Sequence, residues 1–158
     1  KKLAQVELKD KIEGENIEIM SFRLAEETYG IEAKYIKEVY PIREITTLPS
    51  VPTFVYGLVN IRRRIYSIID LRPLFDLPLL DRGDESRIII LKNEKMSFGL
   101  FCDQVIALQS ISANTLQPQV SGLNGLRNAL LKGVTKDRLI VLDGNKLLDE
   151  ESLVVNQV

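Results

Sequence analysis

The sequence predicts a mainly β protein with short helices, built as two copies of one small β unit. Three observations carry that expectation. Apolar residues fall in short runs that alternate with period two or stay β-branched throughout, and no long stretch repeats with the 3.6 period of a helix. "FRLAEETYGIEAKYIKEV" and "ILKNEKMSFGLFCDQVIAL" share an apolar strand, a charged turn, aromatic-Gly-aliphatic and two spaced aliphatics: Gly30 precedes Ile36 and Val39 at six and nine residues, and Gly99 precedes Val105 and Leu108 at the same offsets. "RRIYSIIDLRPLF" echoes "DRLIVLDGNKLL", with Asp70 and Asp143 each ending a strand. A lone five-stranded unit of this size buries little apolar surface, so two packed on a shared core are expected.

Taken in order, residues 1 to about 15 are polar and loosely held. A strand follows, with Ile17, Ile19, Ser21 and Arg23 on one face and Glu18, Met20, Phe22 and Leu24 on the other. "AEET" turns the chain and "YGI" resumes the strand. "AKYIKEVY" reads as a helical turn entering a strand, and "TTLPSVPTF", with two prolines, as a loop. "FVYGLVN" and "RIYSIID" flank three arginines as a hairpin. Asp70 is a natural N-cap for one turn over "LRPLF", which is too short for a full helix. "DLPLLDRGDES" is the most linker-like segment. "RIIILKN", "KMSFGLF" and "QVIALQSI" are strands, with a tight turn at Asn93-Glu94. "SGLNGLRNA" is a glycine-containing loop, and "RLIVLDGNKLLDEESL" closes with a strand and a short helix. The expected organisation is one domain over 1–158, with one barrel at 16–80, a second at 81–145 and a helix and tail at 146–158.

Composition narrows the chemistry. The 158 residues are 45% hydrophobic and 27% charged, with formal net charge −1, a soluble globular balance rather than the basic excess of a dedicated nucleic-acid binder. Histidine is absent, which removes Ser-His-Asp and Cys-His nucleophile systems and imidazole metal sites. Cys102 is the only cysteine, so no intrachain disulfide forms; in "SFGLFCDQV" it reads as a small hydrophobe within a strand. The first twenty residues lack an apolar signal region and no run approaches a membrane span, so neither a secretory signal nor membrane insertion is expected. The chain opens on Lys rather than Met, which leaves room for a longer parent protein.

No nucleotide-binding glycine motif is present. Asp70, Asp103 and Asp143 each follow an apolar run. As a cluster they would serve acid–base chemistry or Mg²⁺; as strand-end residues they would cap or turn the chain, and their spacing follows the repeat. Arg62, Arg63 and Arg64 admit three roles. A basic groove with stacking aromatics, here the arginines with Tyr66, binds single-stranded nucleic acid, but only 6% of residues are aromatic and tryptophan is absent. A hairpin tip often carries plain solvated charge. Arg on a rigid hairpin also grips a protein partner through its planar fork.

"VPTFVYGLVNIRRRIYSIIDLRPLF" resembles the signature of the CheW family, the coupling proteins of bacterial chemotaxis. "FRLAEETYGIEAKYIKEVY" resembles that family's opening strands, "SFGLFCDQVIAL" its Gly-to-Val-Asp-x-Val segment, and "LIVLDGNKLL" its closing strand and helix; together they span about residues 17 to 150. The resemblance implies two small five-stranded SH3-like barrels on a shared core, no catalysis and no cofactor or metal. It implies a cytoplasmic scaffold at membrane-associated receptor arrays, joining the cytoplasmic tip of chemoreceptors to the regulatory domain of the histidine kinase CheA, and no nucleic-acid partner. The receptor-side residues it implies are Ile36, Glu38, Gly57, Asn60 and Arg62; it assigns no kinase-side residues. Two positions depart from the family pattern. Arg63 stands where the family has Gly, which suggests a turn needing positive φ. Ser67 stands where it has Pro, which returns a backbone N–H donor. A CheW-like domain of a larger, non-chemotaxis chemosensory protein and a small-barrel single-strand binder are the alternatives.

Overall fold

In the structure, a computed structural model, residues 15–118, 122, 125–150 and 153 are described. Strands β1 (Asn16–Leu24) and β2 (Glu27–Glu32) form a hairpin, and a 3₁₀ turn at Ala33–Tyr35 enters β3 (Ile36–Pro41). The hairpin of β4 (Val55–Ile61) and β5 (Arg64–Ile69) is followed by a 3₁₀ turn at Pro73–Phe75. Then come β6 (Arg87–Lys92), β7 (Ser97–Cys102), β8 (Gln104–Ser112) and a 3₁₀ turn at Ala113–Thr115. Helix α1 (Gly125–Ala129), β9 (Leu131–Val134), β10 (Ile140–Leu142) and α2 (Gly144–Asp149) complete the order. Most of these elements match the alternation that predicts them. The expectations for residues 1–14, for 121, 123 and 124 of the glycine loop, and for most of the tail beyond 150 lie outside the described residues.

Two local expectations are corrected, and one strand was not expected. The last part of "SGLNGLRNA" is the helix α1, not loop; Arg127 holds it by donating to Glu27 Oε1 (3.1 Å) and to the Phe75 carbonyl (2.6 Å). Five residues have little intrinsic helix stability, so tertiary contacts decide the conformation. The four-residue strand β9 is too short for a periodic pattern to reveal it. The turn at Asn93-Glu94 extends to Met96, because Asn93 Oδ1 accepts the backbone N–H of both Lys95 and Met96.

Two five-stranded sheets form, in the orders β8-β1-β2-β10-β9 and β3-β6-β7-β5-β4. Advancing every strand of the first order by five positions, with numbering wrapped round, reproduces the second. The duplication is therefore real, but the expected boundary between 16–80 and 81–145 does not separate the two barrels. Each sequence half gives its first hairpin to one sheet and its next three strands to the other. Strand β3 leaves its own hairpin to pair with β6, and β8 leaves its own to pair with β1. Repeat spacing reveals that two units exist; only long-range pairing reveals that they exchange halves.

Each sheet curls until its ends meet. Thr46, beyond β3, exchanges backbone hydrogen bonds with Leu58 of β4 (2.9 and 2.8 Å), and Gln117, beyond β8, does the same with Val134 of β9 (3.0 and 2.9 Å). These are two small SH3-like barrels. Alternation splits the buried side chains into three cores. Ile68, Ile88, Ile90 and Phe101 fill one barrel, and Ile19, Leu139 and Val141 fill the other. Phe22, Tyr29, Ile31, Ile69, Ile89, Leu100 and Leu142 lie in the layer between them. Gly30 and Gly99 hold equivalent places: a Cβ would come within 2.6 Å of Ile19 Cγ2 at the first and 2.7 Å of Ile88 Cγ2 at the second. Among the described residues no helix is long and apolar enough to cross a membrane.

Candidate functional site

The β4–β5 hairpin turns in two residues. Ile61 pairs with Arg64, and Arg62 and Arg63 between them both have positive φ, 52° and 70°. A two-residue turn with both central residues left-handed is the type I′ geometry, which matches strand twist and normally recruits Asn or Gly. The expected positive φ at Arg63 is thus present, and Arg62 shares it.

Barrel closure brings this tip to β3. Arg62 Nη1 donates to Glu38 Oε1 at 2.6 Å, and the Arg62 guanidinium lies 6.0 Å from the Tyr40 ring centre. The Tyr40 hydroxyl donates to Glu38 Oε2 at 2.5 Å. Glu38 and Tyr40 are two apart on one strand and so share a face. The bond from Tyr40, followed by Arg62, holds the Glu38 carboxyl below the ordinary glutamate range. A parallel contact lies alongside: Lys37 Nζ donates to the Tyr66 hydroxyl at 3.1 Å, and Arg64 stands 5.4 Å from the Tyr66 ring centre. Sequence reasoning named Glu38 and Arg62, and Tyr66 beside the arginines, but missed Tyr40 and Lys37. The Glu-x-Tyr spacing is the available signal for the first, and nothing local indicates the second.

The remaining expected residues sit apart from this ion pair. Ile36 opens β3, opposite Leu91, and packs half-buried against the shared core. A register shift between Ile36 and Glu38 locally re-aims the strand. Gly57 is buried in β4, where a Cβ would meet the Thr46 carbonyl oxygen at 2.6 Å, so its smallness admits the segment that closes the barrel. Asn60 is exposed opposite Ile65, with no side-chain partner among the described residues. Arg63 is exposed and has no hydrogen bond, ion pair or ring contact among the described residues. Arg64 begins β5 and is exposed, and Ser67 keeps its place in the ladder opposite Leu58.

The strand-end aspartates divide. Asp143 caps α2, its Oδ1 accepting the Lys146 N–H at 3.1 Å. Asp70 does not cap the Pro73–Phe75 turn directly, because the residue in that place is Arg72. Asp70 and Asp103, expected to act separately, instead meet on Arg72. Its Nη2 and Nε reach Asp70 at 2.9 and 3.0 Å, and Nη1 reaches Asp103 at 3.1 Å and the Leu80 carbonyl at 3.0 Å. Asp103 Oδ2 also accepts the N–H of Ala25, which has φ 54°. All three charged groups are buried, and the guanidinium stacks 4.2 Å from the Phe101 ring centre. Every carboxylate oxygen here is engaged, so the cluster is a clamp at the junction of the barrels. Cys102 is buried and burial pushes its thiol up to about 12, which suits the hydrophobe expected of it.

The CheW-like domain family matches residues 18–152. The chain is 30% identical over 149 residues to the chemotaxis protein CheW of Treponema pallidum, covering 90% of this chain and 88% of that protein. It is 28% identical over 150 residues to CheW of Klebsiella aerogenes, covering 92% and 90%. It is also similar to the crystal structure of the scaffolding protein TtCheW from Thermoanaerobacter tengcongensis, with TM-score 0.72 and 30% identity, over 82% of this chain and 84% of that one.

Proposed function

This chain belongs to the CheW-like domain family, and from that premise we propose that one face of the β3–β6–β7–β5–β4 barrel takes the signalling tip of a chemoreceptor while another surface takes the regulatory domain of CheA. As a member of that family it is a non-catalytic scaffold coupling chemoreceptors to CheA. The proposed receptor face carries Ile36, Glu38, Gly57, Asn60 and Arg62, and its setting is the cytoplasmic side of a receptor array.

The observation that carries this assignment is the Arg62–Glu38–Tyr40 set. Three side chains from one strand and a tight turn are held together on an exposed rim with the Arg62 side chain 75% exposed. A fork fixed by its own carboxylate and ring loses little freedom when a partner docks, and that preorganisation raises affinity. Gly57 serves the same face indirectly, by letting the barrel close behind it.

Co-sedimentation of the full chain with a receptor signalling fragment and CheA, with kinase turnover recorded, tests this reading. A ternary complex with altered kinase rate is the expected result. Absence of that complex, together with salt-sensitive binding of a single-stranded oligonucleotide, would replace it with nucleic-acid binding.

A further inference from the structure

Resting on the receptor-coupling assignment, we propose that Arg63 is a specificity residue of this chain. Among the described residues it is the free cation of the hairpin tip, and it selects a receptor tip that presents a carboxylate beside the Arg62 contact.

Two observations meet at this residue. One is conformational. A left-handed φ of 70° in a type I′ turn is the natural place for glycine, and an L side chain there carries a steric penalty. Its neighbour Arg62 is also left-handed at 52°, so the turn holds two consecutive strained residues. Strain of this kind persists where surrounding structure enforces it, and it gathers at ligand clamps. The other observation is electrostatic. The rim gathers Lys37, Arg62, Arg63 and Arg64, all exposed, and among the described residues the only carboxylate bonded within this group is Glu38. Arg62 is committed to Glu38 and Tyr40, Lys37 to Tyr66, and Arg64 lies against the Tyr66 ring. Arg63 alone of the four makes no such contact among the described residues.

An uncommitted guanidinium at the apex of a rigid turn presents its fork outward, and a carboxylate is the group that fork fits in two parallel hydrogen bonds. The excess positive charge of the rim steers an acidic surface toward it. The apex adjoins Arg62 on the same rim, so the occupant is the receptor tip itself, and the charge selects among receptors by the acidity of that tip.

The test is titration of the full chain and of Arg63→Gly, Arg63→Lys and Arg63→Glu against a soluble receptor signalling-tip fragment. Ionic strength is set low and then high, about 0.05 M and about 0.5 M. The expected result at low salt is that Arg63→Gly weakens binding about fivefold, Arg63→Glu weakens it further, and Arg63→Lys keeps most of it. At high salt the four proteins converge. Thermal midpoints run alongside, since Arg63→Gly relieves the turn and stays folded. Equal binding by the Gly variant and the unaltered protein overturns the proposal and leaves receptor coupling intact. No binding of any receptor tip by the unaltered protein, or saturable binding of a single-stranded oligonucleotide in its place, overturns both.

Discussion

The two left-handed arginines of the β4–β5 turn carry opposite costs and uses. Arg63→Gly should raise stability by about 1 kcal/mol, because the side chain at that φ is the penalty removed. Urea midpoints measure it, and a lower midpoint would mean that the side chain supports the turn. Arg62 differs because its guanidinium is engaged. Its pair with Glu38 is exposed, so Arg62→Ala should change folding stability by no more than about 0.5 kcal/mol. Receptor affinity should fall by about 2 kcal/mol or more if the residue is a hot spot, with CheA binding unchanged. Separate titrations decide this; equal loss for both partners would place Arg62 on a shared surface or in the fold. Glu38 adds a pH signature. Its folded carboxyl lies below the ordinary glutamate value, so its stabilising contribution is present above the unfolded pKa and is lost as pH falls through the folded one. Tyr40→Phe removes the hydroxyl whose hydrogen bond does most to lower it, so the Glu38 midpoint should move upward in an NMR titration; an unmoved midpoint would assign the effect to Arg62. At this scale Glu38, Arg62 and the positive φ of Arg63 were legible in "KEVY" and "NIRRRI". The bond from Tyr40 lies within one strand and had only the Glu-x-Tyr spacing to signal it, whereas the bond from Lys37 to Tyr66 was not legible, because barrel closure makes it.

Elements were legible wherever alternation had room to show. The runs "NIEIMSFRL" and "RIIILK" declare strands, with buried residues on two faces because a barrel interior lies on one side and the shared layer on the other. The strand "LKGV" and the helix "GLRNA" stayed hidden, being four and five residues long and held by pairing with β10 and by Arg127. The paired glycines of β2 and β7 test the repeat at this level. Each lacks a side chain where the isoleucine of the neighbouring strand fills the barrel. Gly30→Ala and Gly99→Ala should therefore each cost about 1–3 kcal/mol, the usual penalty of an overfilled core. Chemical denaturation of both variants checks the size and the equality. A penalty at one site and none at the other would show that the two barrels tolerate overpacking differently.

For the whole molecule, duplication was legible and exchange was not. Offsets after Gly30 and Gly99 depend only on distance along the chain, whereas the choice of pairing partner depends on which strands bury more together. The aspartates show the same limit: Asp70 and Asp103 looked like separate strand ends because Arg72, which joins them, acts across 31 residues of sequence. Exchange also alters what the segment between the halves does. Residues 79–85 are exposed, and the Arg72 bond to the Leu80 carbonyl pins the near end of that stretch. Trypsin cutting after Arg82 should leave both pieces bound to each other in native buffer, since neither piece owns a complete barrel. Size-exclusion chromatography and circular dichroism of the nicked protein check this, and pieces that part while each keeps its β signal would refute it. The joining segment is then a tether that turns a two-body assembly into a one-body fold, by fixing the effective concentration of one half around the other. Once nicked, the protein should melt at a temperature that drops on dilution, as a dimer does, while the intact chain melts at the same temperature however dilute it is.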